Sequence, residues 1–270
     1  MAKPGCGLRA GANRCRSMTV YGDFARCYTK GPWAEFSQGV AAELPGVLDL
    51  FGEHPHAILD LACGEGTFAV AMASRGYQVT GVDSSTQMLE FARDRAAKEN
   101  ANVEFLLRDM RSLDFVERFN LVTCWFDSLN YLLELSHLEE AFTGVYRALR
   151  RGGLFVFDMN TIYGLAVGWQ RQPYYVQTDT DEMFEVGFPS YDREHKVATL
   201  MVRGFVKDGD RWYRVSEEHR ERGYNLKEIR LCLKRTGLRE LACWDDLEER
   251  NKVTGASERV WFVTRKVDVI

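Results

Sequence analysis

Apolar and polar positions along this chain follow two rhythms, and the first runs to about residue 160. Ile58, Leu59 and Leu61 form a short apolar run that ends in glycines, as a buried parallel strand entering a tight turn does. Thr67 to Ser74 is rich in Ala and Met and stops at Gly76, which predicts a helix with a C-terminal glycine. Gln78 to Val82 predicts a second strand, closed by Asp83. Ser84-x-x-Gln87 has the form of a capping box, and Met88, Leu89, Ala92 and Ala96 share one face of the helix behind it. Val103 to Leu106 and Asn120 to Trp125 predict a third and a fourth strand. Ser136-x-x-Glu139 predicts a cap for a helix with Leu138, Ala141, Phe142, Val145 and Leu149 on its apolar stripe. Arg151-Gly-Gly153 then turns into a fifth strand, Leu154 to Phe157. Upstream, Trp33 to Phe51 is helical in pattern, with Pro45 as its expected break. Strands alternating with helices imply right-handed crossovers and a parallel sheet.

After Asn160 the rhythm changes. Tyr174 to Tyr224 carries no helical stripe; Glu182 to Phe188, Val197 to Val206 and Arg211 to Tyr224 read as strands, the last two joined at Asp208-Gly209. Strand parity puts Glu217, His219 and Glu221 on one face and Glu218, Arg220 and Arg222 on the other. Asn225-x-x-Glu228 then caps a helix bearing Leu226, Ile229 and Leu233 and ended by Gly237. Leu238 to Trp244 and Arg259 to Thr264 supply two final strands, which complete a seven-stranded sheet. The expected organisation is an α/β core from residues 18–160 and 225–270, with an antiparallel β insertion over 161–224. Residues 1–17 are glycine-rich and basic, with Lys3, Arg9, Arg14 and Arg16, no acid and no apolar signal-peptide run; a disordered tail is expected there. Met18 is expected to be the natural start.

Composition narrows the classes. With 270 residues, 46% hydrophobic content and a net charge of −4, the chain has material for a packed core and no basic footprint that calls for nucleic acid. No apolar run approaches the roughly 18 residues of a membrane span. Seven scattered cysteines without a C-x-x-C read as reduced core thiols, so a cytoplasmic location is expected. His54-Pro-His56 has the spacing of two metal ligands, but further ligands are missing and a plain loop is the better reading; no metal is expected.

The chemistry concentrates in Ala57-Ile-Leu-Asp-Leu-Ala-Cys-Gly-Glu-Gly-Thr67 and Gly81-Val-Asp83. Strand, glycine turn, helix, strand and acid make the nucleotide-binding βαβ unit, in which the closing acid accepts ribose hydroxyls. Gly64-Glu-Gly-Thr-Phe-Ala69 formally fits the dinucleotide pattern, yet Asp60 and Glu65 would repel a pyrophosphate lying on this turn. S-adenosylmethionine has no phosphate and carries a sulfonium and an ammonium, which welcome acid. A glycine turn with no ligand is disfavoured because Asp83 falls at the ribose spacing of about 20 residues.

The pattern Asp60-x-Ala62-x-Gly64-x-Gly66 resembles motif I of the class I S-adenosylmethionine-dependent methyltransferases. Along nearly all of Met18 to Ile270 the chain is similar to bacterial small-molecule members with a β insertion, relatives of the sugar-amine and glycine N-methyltransferases. The matching pieces are Asp60-Leu-Ala-Cys-Gly-Glu-Gly66, Val82-Asp83-Ser84 with Met88-Leu89, Asp109-Met110, Cys124-x-x-Asp127-Ser-x-Asn130-Tyr131, Leu149-Arg-Arg-Gly-Gly153 with Phe157-Asp158, and Glu218-His219-x-Glu221-Arg222-x-Tyr224. It departs at Thr29, where the family often has Asp after Tyr28, and at Arg150-Arg151, where it often has Lys-Pro.

The resemblance implies a Rossmann-like seven-stranded methyltransferase fold and roles for particular residues. Asp60, Ala62, Cys63 and the Gly64–Gly66 backbone would hold the methionine part of the cofactor. Asp83 would take the ribose, Ser84 and Met88 would flank the adenine, and Asp109 with Met110 would meet its amino group. Trp125 or Phe126 would lie beside the cofactor, with Tyr21, Tyr28 and Trp33 coming from an N-terminal lid. The reaction would be in-line methyl displacement toward a small acceptor, on family analogy an amine, with proximity and water exclusion as the protein's main contributions. His219 is the candidate base, with Asp127 and Tyr131 the other polar groups near the methyl. The alternatives are an NAD-type oxidoreductase and a non-catalytic module that binds S-adenosylmethionine.

Overall fold

The computed structural model of the protein describes residues 20–268; the expected tail and the start at Met18 lie outside them. Helices α1 (Ala25–Lys30) and α2 (Ala34–Leu50) lead into β1 (Ala57–Leu61), α3 (Thr67–Ser74), β2 (Gln78–Asp83), α4 (Thr86–Lys98), β3 (Val103–Leu107), β4 (Phe119–Cys124), α5 (Leu135–Ala148) and β5 (Leu149–Asn160). Four strands follow without an intervening α-helix: β6 (Tyr175–Asp179), β7 (Met183–Asp192), β8 (Val197–Asp208) and β9 (Arg211–Arg222). Helix α6 (Leu226–Thr236) and strands β10 (Leu238–Trp244) and β11 (Arg259–Lys266) complete the chain.

The expected seven-stranded sheet is present, in the order β10-β11-β5-β4-β1-β2-β3. Strands β1 to β5 pair in parallel, and β11 runs antiparallel between β5 and β10. All five residues of β1 are buried, because helices cover both faces of the sheet. One core packs α5 and α6 on the sheet through Phe142, Val145, Ile229 and Leu233; the other packs α2 and α3 through Leu44, Val47, Phe68 and Met72. Strand order reverses at β1, with β4 on one side and β2 on the other, and a crevice opens at such a switch point beyond the strands' carboxyl ends.

The second sheet, β6-β7-β8-β9, is antiparallel throughout. The parity read from the sequence holds: Glu217, His219 and Glu221 are buried and Arg220 is exposed. A third apolar cluster joins the inner face of this sheet to α1 and α4, through Val202, Val206, Val215, Phe24, Tyr28 and Met88.

Four local expectations need correction. Helix α2 runs through Pro45 without a break. Proline has no N–H for the carbonyl four residues back, and that carbonyl, Ala41 O, instead accepts from the Arg75 guanidinium. The cap of α4 is Ser85, not Ser84: Ser85 is extended and its Oγ accepts from Met88 N at 3.2 Å. Ser136 lies inside α5, whose N-cap position is Glu134. Strand β6 has no counterpart in the sequence reading, because a half-exposed Tyr-Val-Gln-Thr-Asp edge strand shows no clean alternation. By contrast, the capping box of Asn225 and Glu228 forms with both bonds at 2.9 Å.

Candidate active site

The turn after β1 is held by backbone conformations that glycine favours. Gly64 and Gly66 have φ of 55° and 83°. A Cβ on Gly66 would lie 3.0 Å from the Cβ of Ala92, so this glycine seats α4 against the turn. Gly66 therefore shapes the cleft from beneath and does not line it. Asp83, at the end of β2, ties the turn in place: its Oδ2 accepts from Gly64 N at 2.9 Å and its Oδ1 from Ser85 N at 2.8 Å. Each oxygen keeps further acceptor capacity, so two ribose hydroxyls remain within its means.

Asp60 is 2% exposed. Its Oδ1 accepts from Thr123 Oγ1 at 3.2 Å, and its Oδ2 has no partner among the described residues. Burial pushes the carboxyl up to about 8, with neighbouring Asp83 adding to the effect. Glu65 is different. It takes Thr67 Oγ1 at 2.5 Å and Arg95 Nε at 2.7 Å, so its charge is already matched. Glu65 therefore adds no uncompensated charge to the turn.

These residues open on a cleft of about 350 Å³. Asp60, Ala62, Cys63, Gly64, Asp83, Ser84 and Met88 line it from the first two strand ends. Asp109 and Met110 line it from the segment after β3, where Arg111 Nε reaches both Asp109 oxygens at 3.0 and 3.1 Å and holds that carboxyl below its usual range. Trp125 and Phe126 close the β4 side, and Tyr21 and Tyr28 close the top.

A second cavity of about 240 Å³ lies under the inner face of the antiparallel sheet. It shares Tyr21, Tyr28, Phe126 and Tyr131 with the larger cleft, so the two adjoin across an aromatic wall. Trp33 lines only this second cavity, stacked on Tyr28 with centroids 6.1 Å apart; it stands away from the cofactor side where the resemblance put it. His219 and Asp127 also line only the second cavity. Tyr21 Oη is 3.1 Å from Tyr131 Oη, which is 3.0 Å from His219 Nδ1. Burial pulls His219 down to about 4, so the ring is neutral, and its Nε2 has no hydrogen-bond partner among the described residues, with Glu217 Oε1 the near acid at 3.5 Å.

Residues that sequence reasoning missed complete the arrangement. Glu217 Oε2 accepts from Gly22 N at 3.2 Å and Phe24 N at 3.0 Å, and its Oε1 accepts from Tyr21 N. Ser85 Oγ donates to Tyr21 O at 2.8 Å. The segment from Val20 to Phe24 is thus strapped to the β sheet by one carboxylate and to the core by one hydroxyl. Asn160, from β5, bridges Asp127 to Glu221 of β9, Arg259 of β11 also reaches Asp127, and Asp127, Glu221 and Arg259 line the second cavity. The available signal was strand parity, which sets Glu217 and Glu221 on the same face of β9 as His219.

The larger cleft fits S-adenosylmethionine on its own terms. An unpartnered buried carboxylate oxygen at Asp60 suits a cation, and the glycine turn leaves the backbone open to close approach.

Comparison with known proteins points the same way. A family model described as a methyltransferase domain matches residues 58–153. A Geobacillus sp. (strain WCH70) protein, provisionally named a methyltransferase, is 34% identical over 215 residues, covering 77% of this chain and 84% of that one. The crystal structure of an S-adenosylmethionine-dependent methyltransferase from Clostridium acetobutylicum ATCC 824 superposes with a TM-score of 0.80 at 27% identity, over 92% of this chain and 99% of that one. CalS10, an amino pentose methyltransferase from Micromonospora echinaspora solved with its cofactor bound, shares the fold with a TM-score of 0.65 at 18% identity, over 94% and 99% of the two chains.

Proposed function

The chain belongs to the class I S-adenosylmethionine-dependent methyltransferases, and from that premise we propose that it methylates the amine nitrogen of a small molecule. With that membership the NAD-type alternative falls away. The observation that carries the amine reading is the charge of the second cavity. Asp127 and Glu221 both line it, and the one guanidinium there among the described residues, Arg259, is shared with Asp158. Excess buried carboxylate favours a cation and repels an acidic acceptor. An amino pentose as the acceptor of a protein with this fold is in keeping with that choice.

When bound, S-adenosylmethionine supplies an electrophilic methyl on a sulfonium. In this reading Asp60 Oδ2 holds its ammonium, Asp83 its ribose hydroxyls, and Ser84, Met88, Asp109 and Met110 its adenine end. Phe126, Tyr21, Tyr28 and Tyr131 stand where the two cavities meet, so they align the acceptor nitrogen and exclude water. His219 does not present Nδ1 to the acceptor, since Tyr131 occupies it; His219 acts by orienting the Tyr131 hydroxyl.

The test is methyl transfer from radiolabelled cofactor to a panel of small amines, alcohols and carboxylic acids. Label is expected in amines that fit about 240 Å³. Label in acids or alcohols and in no amine would defeat the reading.

A further inference from the structure

We propose that Glu221 and Asp127 together form the seat for the acceptor's ammonium, and that Glu221 is the residue that takes its proton. This rests on the amine reading above.

The geometry sets these two carboxylates side by side. The Asn160 Nδ2 donates to Glu221 Oε2 at 2.9 Å and also to Asp127 Oδ2. Asn160 is itself fixed by the buried Asn130: Asn160 N donates to Asn130 Oδ1 at 2.9 Å, and Asn130 Nδ2 donates to Asn160 O at 3.0 Å and to Arg222 O at 2.8 Å. Two asparagines therefore clamp the end of β5 to the end of β9 and set the spacing of the acids.

The two acids are not equivalent. Asp127 Oδ2 also receives Arg259 Nη2 at 3.2 Å. Asp158, beneath it, receives the other arm of Arg259 together with Phe126 N at 2.6 Å and Asp127 N at 3.0 Å. Glu221 has only the neutral amide of Asn160, and its Oε1 has no protein partner among the described residues although the side chain lines the cavity. The charged and titratable groups facing it are Asp127, Asp158 and Arg259 from the core, Tyr21, Tyr131 and Tyr175 around the cavity, and His219 on its own strand. Burial first, and Asp127 second, raise its hold on a proton well above that of an ordinary glutamate. That is the property a base needs to relieve an ammonium of a proton. Opposite Glu221 in the register is Ala198, a small residue.

The step balances simply. As the ammonium enters, the Glu221 carboxyl gives up its own proton to solvent; one N–H bond of the ammonium then breaks, an O–H bond forms on Glu221 Oε1, and the nitrogen keeps the electron pair as a neutral nucleophile, so one proton leaves per molecule bound. His219 is the weaker base of the two: Tyr131 engages its Nδ1, and burial pulls the ring down to about 4.

The test uses the full chain saturated with S-adenosylhomocysteine, with benzylammonium chloride, benzyl alcohol and sodium benzoate as probes in titration calorimetry. A flat ring suits the walls Trp169 and Tyr175, and the three probes differ in head group. The wild type should bind benzylammonium about 10-fold or more tightly than benzyl alcohol, the scale of a charged hydrogen bond. Binding should release a proton, seen as heat that changes between buffers of different ionisation enthalpy. Glu221→Gln should lose both the preference and the proton release, with S-adenosylhomocysteine affinity unchanged; Glu221→Asp should keep part of the preference. A Gln variant that retains preference and proton release overturns the Glu221 assignment and leaves the amine reading standing. A wild type that prefers benzyl alcohol or benzoate overturns both. Should Glu221→Gln lose S-adenosylhomocysteine binding, wild-type proton release decides alone, and its absence overturns the assignment.

Discussion

At the scale of single residues, Asp83 does two jobs with one carboxylate. It braces the Gly64 turn through backbone amides, and its spare acceptor capacity points at the cleft. Asp83→Ala is expected to weaken S-adenosylhomocysteine binding about 10- to 150-fold, from roughly 1.5–3 kcal/mol of charged hydrogen bonding, measured by calorimetry. Asn would turn one acceptor into a donor facing Gly64 N or Ser85 N. Asp83→Asn is therefore expected to be no milder than Ala; full affinity in the Asn variant would contradict this. Glu185 gives a second test. It is buried on β7, its Oε2 has no partner among the described residues, and burial raises it to about 7 from 4.5. A carboxyl raised on folding binds its proton more tightly folded than unfolded, so stability is lost as pH climbs from about 4.5 to 7. The loss approaches roughly 3 kcal/mol at about 1.4 kcal/mol per pKa unit. Glu185→Gln should match wild type in urea denaturation at pH 4.5 and exceed it at pH 8.5; equal midpoints at both would refute it. Asp60 and Asp83 are legible in the sequence because one short segment carries their spacing. Glu221, Asn160 and Arg259 are not, because β9, β5 and β11 meet only through long-range register.

At the scale of elements, periodicity makes the seven strands of the main sheet legible and hides what happens at their edges. The passage of α2 through Pro45 depends on Arg75, which lies just beyond the end of α3 and far away in sequence, reaching back to Ala41 O. No local pattern announces that contact. The strap from Val20 to Phe24 is similar, since its partner Glu217 is nearly two hundred residues on. Three backbone N–H groups depend on that carboxylate, and Val20 and Tyr21 line the cofactor cleft. Glu217→Gln is expected to replace one charged acceptor oxygen by a donor. S-adenosylhomocysteine dissociation should then quicken by about 10-fold, the effect of roughly 1.4 kcal/mol, in stopped-flow displacement. An unchanged dissociation rate would show that the strap does not gate the cleft.

At the scale of the whole molecule, two sheets share one site: the mixed sheet supplies the cofactor cleft, and the antiparallel sheet roofs the cavity beside it. The change of rhythm after Asn160 makes that division legible. It leaves open which lid face turns inward, which packing with α1 and α4 decides. The position of β11 has a further consequence, for the order in which the chain is made. Every residue lining the cofactor cleft lies between Val20 and His137, so roughly the first half of the polypeptide holds all of its contacts. Yet β11 is inserted between β5 and β10, and Arg259 at its start is the counter-charge for Asp158 and Asp127. A nascent chain still lacking this strand has β5 bare along one edge and those buried acids unmatched, a state that removing one partner of an ion pair makes costly. A chain ending at Glu258 is therefore expected to bind no S-adenosylhomocysteine in calorimetry, although it keeps every lining residue. Full affinity in that chain would mean that the cleft assembles during synthesis, ahead of the last strand.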